Sequence, residues 1–164
     1  MNTATTHYAG FWRRLGATLI DGALVVTLTA PLEYLVYGRG YFRWLTENID
    51  LLNVYGFWDA FFTRILPVLL VVTLWHFMGA TPGKKLLHCK IVDAKTLDAL
   101  SWQQCGTRLL SYTASILPLY LGFFWIGWDK HKQGFHDKLA HTLVLYAPDD
   151  YADESLSQLM APNA

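Results

Sequence analysis

Leu109 to Trp128 is a run of twenty residues without a single Asp, Glu, Lys or Arg. No other feature of the sequence limits the fold so sharply. A helix that crosses a bilayer takes about 20 predominantly apolar residues, and two further stretches approach that requirement. Leu15 to Tyr37 carries only Asp21 and Glu33, and Ala60 to Met78 only Arg64. The first stretch is too long for a cleaved signal, and no small-x-small cleavage site follows it. Composition agrees, with 53% apolar and only 16% charged residues, where soluble domains hold about a quarter charged. The sequence therefore predicts an all-α membrane protein of three to four transmembrane or re-entrant helices. Their approximate ranges are 15–37, 60–79, 101–117 and 118–128, within a single domain, 1–147. The remainder, 148–164, reads as an acidic polar tail.

The connecting segments differ in texture. Gly38 to Asp59 is rich in Tyr, Phe and Trp and reads as a loop lying along the headgroups. Gly79-Ala80-Thr81-Pro82-Gly83 is a cluster of helix breakers that ends the second apolar stretch. Ser101 with Gln104 three residues on fits a capping box and predicts a helix start. Lys85 to Ala94 and Lys138 to Ala147 echo one another, sharing Lys, Leu, His and Ala at matching positions. Each copy leads into a short β-branched run, so 89–94 and 142–147 are expected to pair as a small two-stranded sheet on the cytoplasmic side.

Basic residues orient the chain, because Lys and Arg gather at cytoplasmic helix ends. Ten of the thirteen flank one side: Arg13, Arg14, Lys84, Lys85, Lys90, Lys95, Arg108, Lys130, Lys132 and Lys138. Arg39, Arg43 and Arg64 flank the other. A single crossing by the third stretch would spoil that asymmetry. A hairpin over Ser101 to Trp128, broken at Pro118 where the backbone donor is lost, preserves it; a kinked single span is the alternative. Both termini are then expected in the cytoplasm.

The charged residues inside apolar runs carry the functional expectations. Arg14 and Asp21 are seven apart and share a helix face, about 10 Å apart along the axis. An ionisable group within a span is costly and must find a partner. Asp21 is thus either a proton- or cation-exchanging carboxylate or a structural group that registers helix packing. Glu33, beside Pro31, is expected to reach the headgroups, and Arg64 to snorkel towards them. His131, His136 and His141, with Asp137, contain imidazoles that could hold a metal. Their spacing of five matches no helical face or zinc motif, so no metal is assigned, and contact with lipid phosphates is the simpler reading. Cys89 and Cys105 read as reduced thiols. No nucleophile elbow, Walker loop, HExxH or dinucleotide fingerprint occurs, so neither an enzyme nor a cofactor is expected. The balance of thirteen basic and thirteen acidic residues argues against a nucleic-acid partner.

Three motifs together resemble the RDD family of small bacterial membrane proteins. They are Ala9-Gly10-Phe11-Trp12-Arg13-Arg14-Leu15 leading to Asp21, Thr81-Pro82-Gly83-Lys84-Lys85-Leu86-Leu87 with Ile91-Val92-Asp93, and Gln133-Gly134-Phe135-His136-Asp137-Lys138-Leu139-Ala140-His141. His141 stands where relatives often have glycine. The resemblance implies a multi-pass protein of the bacterial inner membrane. The arginine and two aspartates of the family name fall on Arg14, Asp21 and Asp137, with Arg13 and Asp129 in reserve. Some members are described as cation/proton antiporters, so one expectation is transport of a small ligand or cation along a path through these residues. The other is a non-transporting scaffold or accessory subunit in which they are structural. The expected partners are the lipid bilayer and either further copies of the chain or another membrane protein.

Overall fold

The computed structural model describes residues 8–48 and 54–147; the predicted tail, 148–164, lies outside them. Two long helices dominate. α1 runs Phe11–Tyr37 and α3 runs Phe57–Met78, with a π-helical turn at Phe61–Ile65 inside it. Only 6% of the apolar window of each is buried. Leu19, Val26, Leu28, Leu35, Leu69 and Phe77 point outward, a surface that lipid solvates and water would not. Both helices therefore read as membrane spans.

Between them, the predicted loop contains a helix, α2, Arg39–Glu47. It follows α1 after one residue, Gly38, whose φ of +66° turns the chain. Periodicity explains the difference from the sequence reading: Tyr41 is buried while Arg39, Gly40, Phe42, Arg43, Leu45, Thr46 and Glu47 are exposed or half-buried. The aromatic side chains pack on one another as well as facing outward. Tyr41 and Tyr55 meet edge to face with centroids 5.7 Å apart, and Trp44 lies 5.2 Å from Tyr55.

At the other end of the spans the chain builds a compact cap. α3 stops at Gly79, left-handed at φ +62°, whose N–H bonds to the Trp75 carbonyl, the usual arrangement at a helix end. A short helix follows, α4, Pro82–Leu86, and then β1, Cys89–Asp93. The predicted capping box opens α5, Trp102–Ile116: the Gln104 N–H donates to Ser101 Oγ at 3.2 Å, and the Ser101 N–H to Gln104 Oε1 at 3.0 Å. α6, Leu121–Trp128, α7, Phe135–Leu139, and β2, Thr142–Tyr146, complete the fold. β1 and β2 pair antiparallel, Cys89 opposite Tyr146 and Asp93 opposite Thr142, as the sequence echo predicts. The Ala9 N–H donates to the Val144 carbonyl, so the chain entering α1 joins this ribbon. Ala9, Trp75, Ile91, Leu100, Cys105 and Val144 form the core beneath it.

The echo extends beyond its matching letters. α7 begins fifty-three residues after α4, and β2 fifty-three after β1. Gly79 and Lys132 are both left-handed, and so are His88 and His141, at φ +54° and +52°. Two copies of one unit (turn, short helix, left-handed residue, strand) thus face each other across the ribbon. The left-handed backbone also explains why glycine suits position 141.

The third apolar stretch departs from a simple hairpin. α5 and α6 meet at 98° through a turn at Leu117–Tyr120, so the arms are not antiparallel. The return is made by the chain after Trp128, with α7 packed along α5. Because β2 bonds to β1, which precedes α5, both ends of the stretch reach the same sheet.

Candidate functional site

The cap closes around Asp137, which is fully buried on the third residue of α7. Three elements converge on its carboxylate. From α1, Arg14 Nη1 lies 2.5 Å from Oδ2. From α5, Arg108 Nη2 lies 2.6 Å from Oδ1. From the start of α7 itself, the Gly134 N–H donates to Oδ2 at 2.9 Å. Each guanidinium is held elsewhere as well. Arg14 donates through Nε to the Ala9 carbonyl and through Nη2 to that of Lys132, and Arg108 donates to the Thr142 hydroxyl.

His136 lies beside this cluster. Its ring stacks on Tyr112 with centroids 4.4 Å apart, and Nε2 stands 3.6 Å from Asp137 Oδ1. Ser115 Oγ accepts the His136 backbone N–H at 3.2 Å and lies 3.0 Å from Nδ1. The Ser115 hydroxyl and Nδ1 are within hydrogen-bonding distance of one another, and either can donate. Burial, then the positive charges of Arg108, Arg14 and Lys84, lower the His136 pKa to about 3 against the attraction of Asp137. The ring is neutral. Burial opposes ionisation of Asp137, but Arg108 and Arg14 outweigh it and hold that carboxyl well below the usual range. The centre is an anion between two cations, with a neutral imidazole at its edge.

Asp21 occupies a second, half-buried position two turns further along α1. Its Oδ2 accepts from the Thr81 hydroxyl at 2.5 Å, and its Oδ1 from the Gly83 N–H at 2.7 Å. It therefore caps the start of α4, the segment that leaves the second span, instead of facing another apolar helix as its place in the sequence suggests. Gly83 makes this possible: a Cβ there would lie 2.2 Å from the Ala17 carbonyl.

A family model described as RDD family matches residues 8–141. The chain belongs to the RDD family. It is 29% identical over 150 residues to the Bacillus subtilis protein YxaI, covering 84% of this chain and 97% of that one. It is 27% identical over 154 residues to the membrane protein YteJ of the same organism, covering 86% and 83%. A Rickettsia prowazekii protein, RP437, is 36% identical over 74 residues, 45% of this chain and 40% of that protein. All three are named as uncharacterized. No solved structure matches.

Of the residues assigned to the RDD signature, Arg14 and Asp137 meet directly and Asp21 stands apart from them. The reserve residues bind elsewhere. Arg13 donates to the Leu87 carbonyl and lies over the Tyr146 ring, 3.9 Å from its centroid. Asp129 pairs with Lys138 at 2.5 Å and accepts the N–H groups of His131 and Gln133, shaping that turn. Among the described residues no three His, Cys, Asp or Glu side chains gather as a metal-binding group. His131 packs on Tyr8, and His141 is exposed.

Sequence reasoning missed Arg108, counted only as an orienting charge. A signal was present. Cys105, Arg108, Ser111 and Ser115 recur at helical spacing, and all four are buried, marking the face of α5 that meets α7. Glu33 departs from its expected place as well: it is 1% exposed and turned into the fold, not towards the headgroups.

Proposed function

We propose that this RDD protein is a non-catalytic membrane scaffold or accessory subunit, whose signature residues lock a cytoplasmic cap onto two membrane spans. One observation carries the reading: Arg14, Asp21 and Asp137 are each held by hydrogen bonds or ion pairs to other parts of the same chain. An ion-exchanging carboxylate needs a form that can let its partners go. Asp137 is instead clamped by two guanidiniums, and Asp21 is committed to the end of α4. The cap faces the cytoplasm of a bacterial inner membrane, following the basic residues around it, with both termini on that side. The nearly bare spans then serve as the surface for lipid and for a second copy or a partner membrane protein.

The test is ion flux in vesicles reconstituted with purified protein, alongside its thermal stability in detergent. The scaffold reading expects no protein-dependent cation or proton flux, and Asp21→Asn should lower the melting temperature. Flux through the wild type that Asp21→Asn abolishes, while folding is kept, would establish transport and overturn it.

A further inference from the structure

The duplicated unit places Asp137 third in α7 and Lys84 third in α4, and the two residues fare differently. Asp137 has two guanidiniums. Lys84 is 7% exposed, yet its ammonium makes no ion pair or hydrogen bond among the described residues. Asp21, at the start of α4, gives its oxygens to Thr81 and Gly83, and Asp129 is paired with Lys138. Among the described residues the cap thus buries three cations, Arg14, Lys84 and Arg108, against one carboxylate. Buried charges persist where they are paired, so this lysine calls for an anion that the described cap does not supply. Such an anion has access. Trp75 Nε1 and Arg108 Nε are sealed without a partner, whereas Lys84 Nζ is not fully enclosed.

Lys84 stands where α4 meets the start of α1. Its neighbour Gly83 lies against Ala17, and Leu87, one turn further on, would stand 3.1 Å from a Cβ at Gly16. Arg13 Nη1 donates to the Leu87 carbonyl at 3.2 Å. A groove of about 540 Å³ opens at this junction, lined by Gly10, Phe11, Trp12, Arg13 and Leu87. Its walls are mainly apolar, and Arg13 is the charged member of the lining. No side chain caps the first turn of α1 and no acid stands in it, so the N–H groups of that turn favour an anion as well. The apolar run of α1 starts at Leu15, which puts the junction at the level where the helix enters the membrane. Lipid phosphates lie at that level, and the apolar walls suit the glycerol and first acyl carbons attached to them.

We propose that the junction of α1 and α4 binds the phosphate of an anionic phospholipid of the cytoplasmic leaflet, with Lys84 and Arg13 as its cations and the groove beside Trp12 as the seat of the attached acyl chain. The excess of buried positive charge selects a lipid of net negative charge over a zwitterionic one. The site is separate from the Arg14–Asp137–Arg108 centre and does not depend on the scaffold reading.

The test melts the full-length protein, freed of lipid in a nonionic detergent, against three probes at equal ionic strength: short-chain phosphatidylglycerol, short-chain phosphatidylcholine and inorganic phosphate. Phosphatidylglycerol should raise the melting temperature by about 5 °C at about a hundred times its Kd, and phosphatidylcholine should raise it less. Lys84→Met removes the unpaired charge at similar length, so it should melt no lower than the wild type without lipid and should lose the shift. Arg13→Gln should need about tenfold more lipid for the same shift. No shift in the wild type, or equal shifts with the two lipids, overturns the proposal. A shift with inorganic phosphate as large as that with phosphatidylglycerol means that the groove plays no part, and overturns the assignment to lipid. If Lys84→Met melts lower or fails to fold without lipid, the lysine is paired within the chain. If either variant keeps the wild-type response, the lipid binds elsewhere. Each of these results overturns the proposal.

Discussion

Replacing Asp137 with Asn keeps the shape of the side chain and an oxygen for the Gly134 N–H, but removes the negative charge that lies between Arg14 and Arg108. Arg108 is 1% exposed and Arg14 7%, so neither can recover its lost partner from water without opening the cap. Removing one member of a buried ion pair typically costs about 3–5 kcal/mol. Here one substitution strands two cations, so the upper part of that range is expected. Melting in detergent, followed through tryptophan fluorescence to which the buried Trp75 contributes, would read it. That indole is 2% exposed and lies beneath the Arg108 guanidinium, 5.3 Å from its ring centroid. Removing one cation as well should return part of the loss, so Arg14→Met with Asp137→Asn should be less harmful than the two changes summed. Additive effects, or an Asp137→Asn variant as stable as the wild type, would refute the claim that this anion holds the cap together. Acid provides a second check. Asp137 titrates lower in the folded protein than unfolded, so its contribution is present above about pH 4 and is lost as pH falls through the folded value. Asp137→Asn should lack that acid-sensitive part.

Neighbouring contacts lead to three more expectations. The folded His136 pKa of about 3 lies below its ordinary 6.5, so stability should be full above that ordinary value and fall by about 1.4 kcal/mol per pH unit as pH drops towards 3; His136→Gln should remove this slope in a pH series of melts. Gly83→Ala places a Cβ against the Ala17 carbonyl and should destabilise by at least about 1–3 kcal/mol, with faster hydrogen exchange in α4. Ser101→Ala loses the cap of α5 and should cost about 1 kcal/mol in the same melting assay.

What could be read from the sequence depended on how local its cause was. The spans were legible because lipid imposes an unbroken apolar run, and the capping box because its partners stand three residues apart. The β1–β2 pairing was legible for a rarer reason, since the chain states the same unit twice. α2 was hidden because it is only nine residues long and its aromatic side chains suit an interfacial loop equally well. Arg108 was hidden because its partner lies in α7, beyond a right-angle bend that no local pattern specifies. Glu33 reads as interfacial by position alone; only the approach of α3 shows that it is enclosed.

The duplicated unit gives the two aspartates a common explanation. A short helix begins with N–H groups that have no partner within the helix, and a carboxylate near that end is favourable for both hydrogen bonding and the helix dipole. In the first copy, Asp21 reaches across from α1 to take the Gly83 N–H of α4. In the second, Asp137 takes the Gly134 N–H from within α7. One aspartate thus serves each copy, the first from a membrane span and the second from inside the repeat. The arginine then follows from geometry. Arg108 and Ser115 fasten α7 to α5, but neither they nor the internal cap ties it to a long span, whereas Asp21 already fastens α4 to α1. Arg14, two helical turns before Asp21, supplies the missing attachment by pairing with Asp137. A single helix, α1, thereby holds both copies through two residues on one face. On this reasoning Arg14→Met should leave α4 docked and speed hydrogen exchange mainly in α7, and exchange measured separately in the two segments would distinguish that from a collapse of the whole cap.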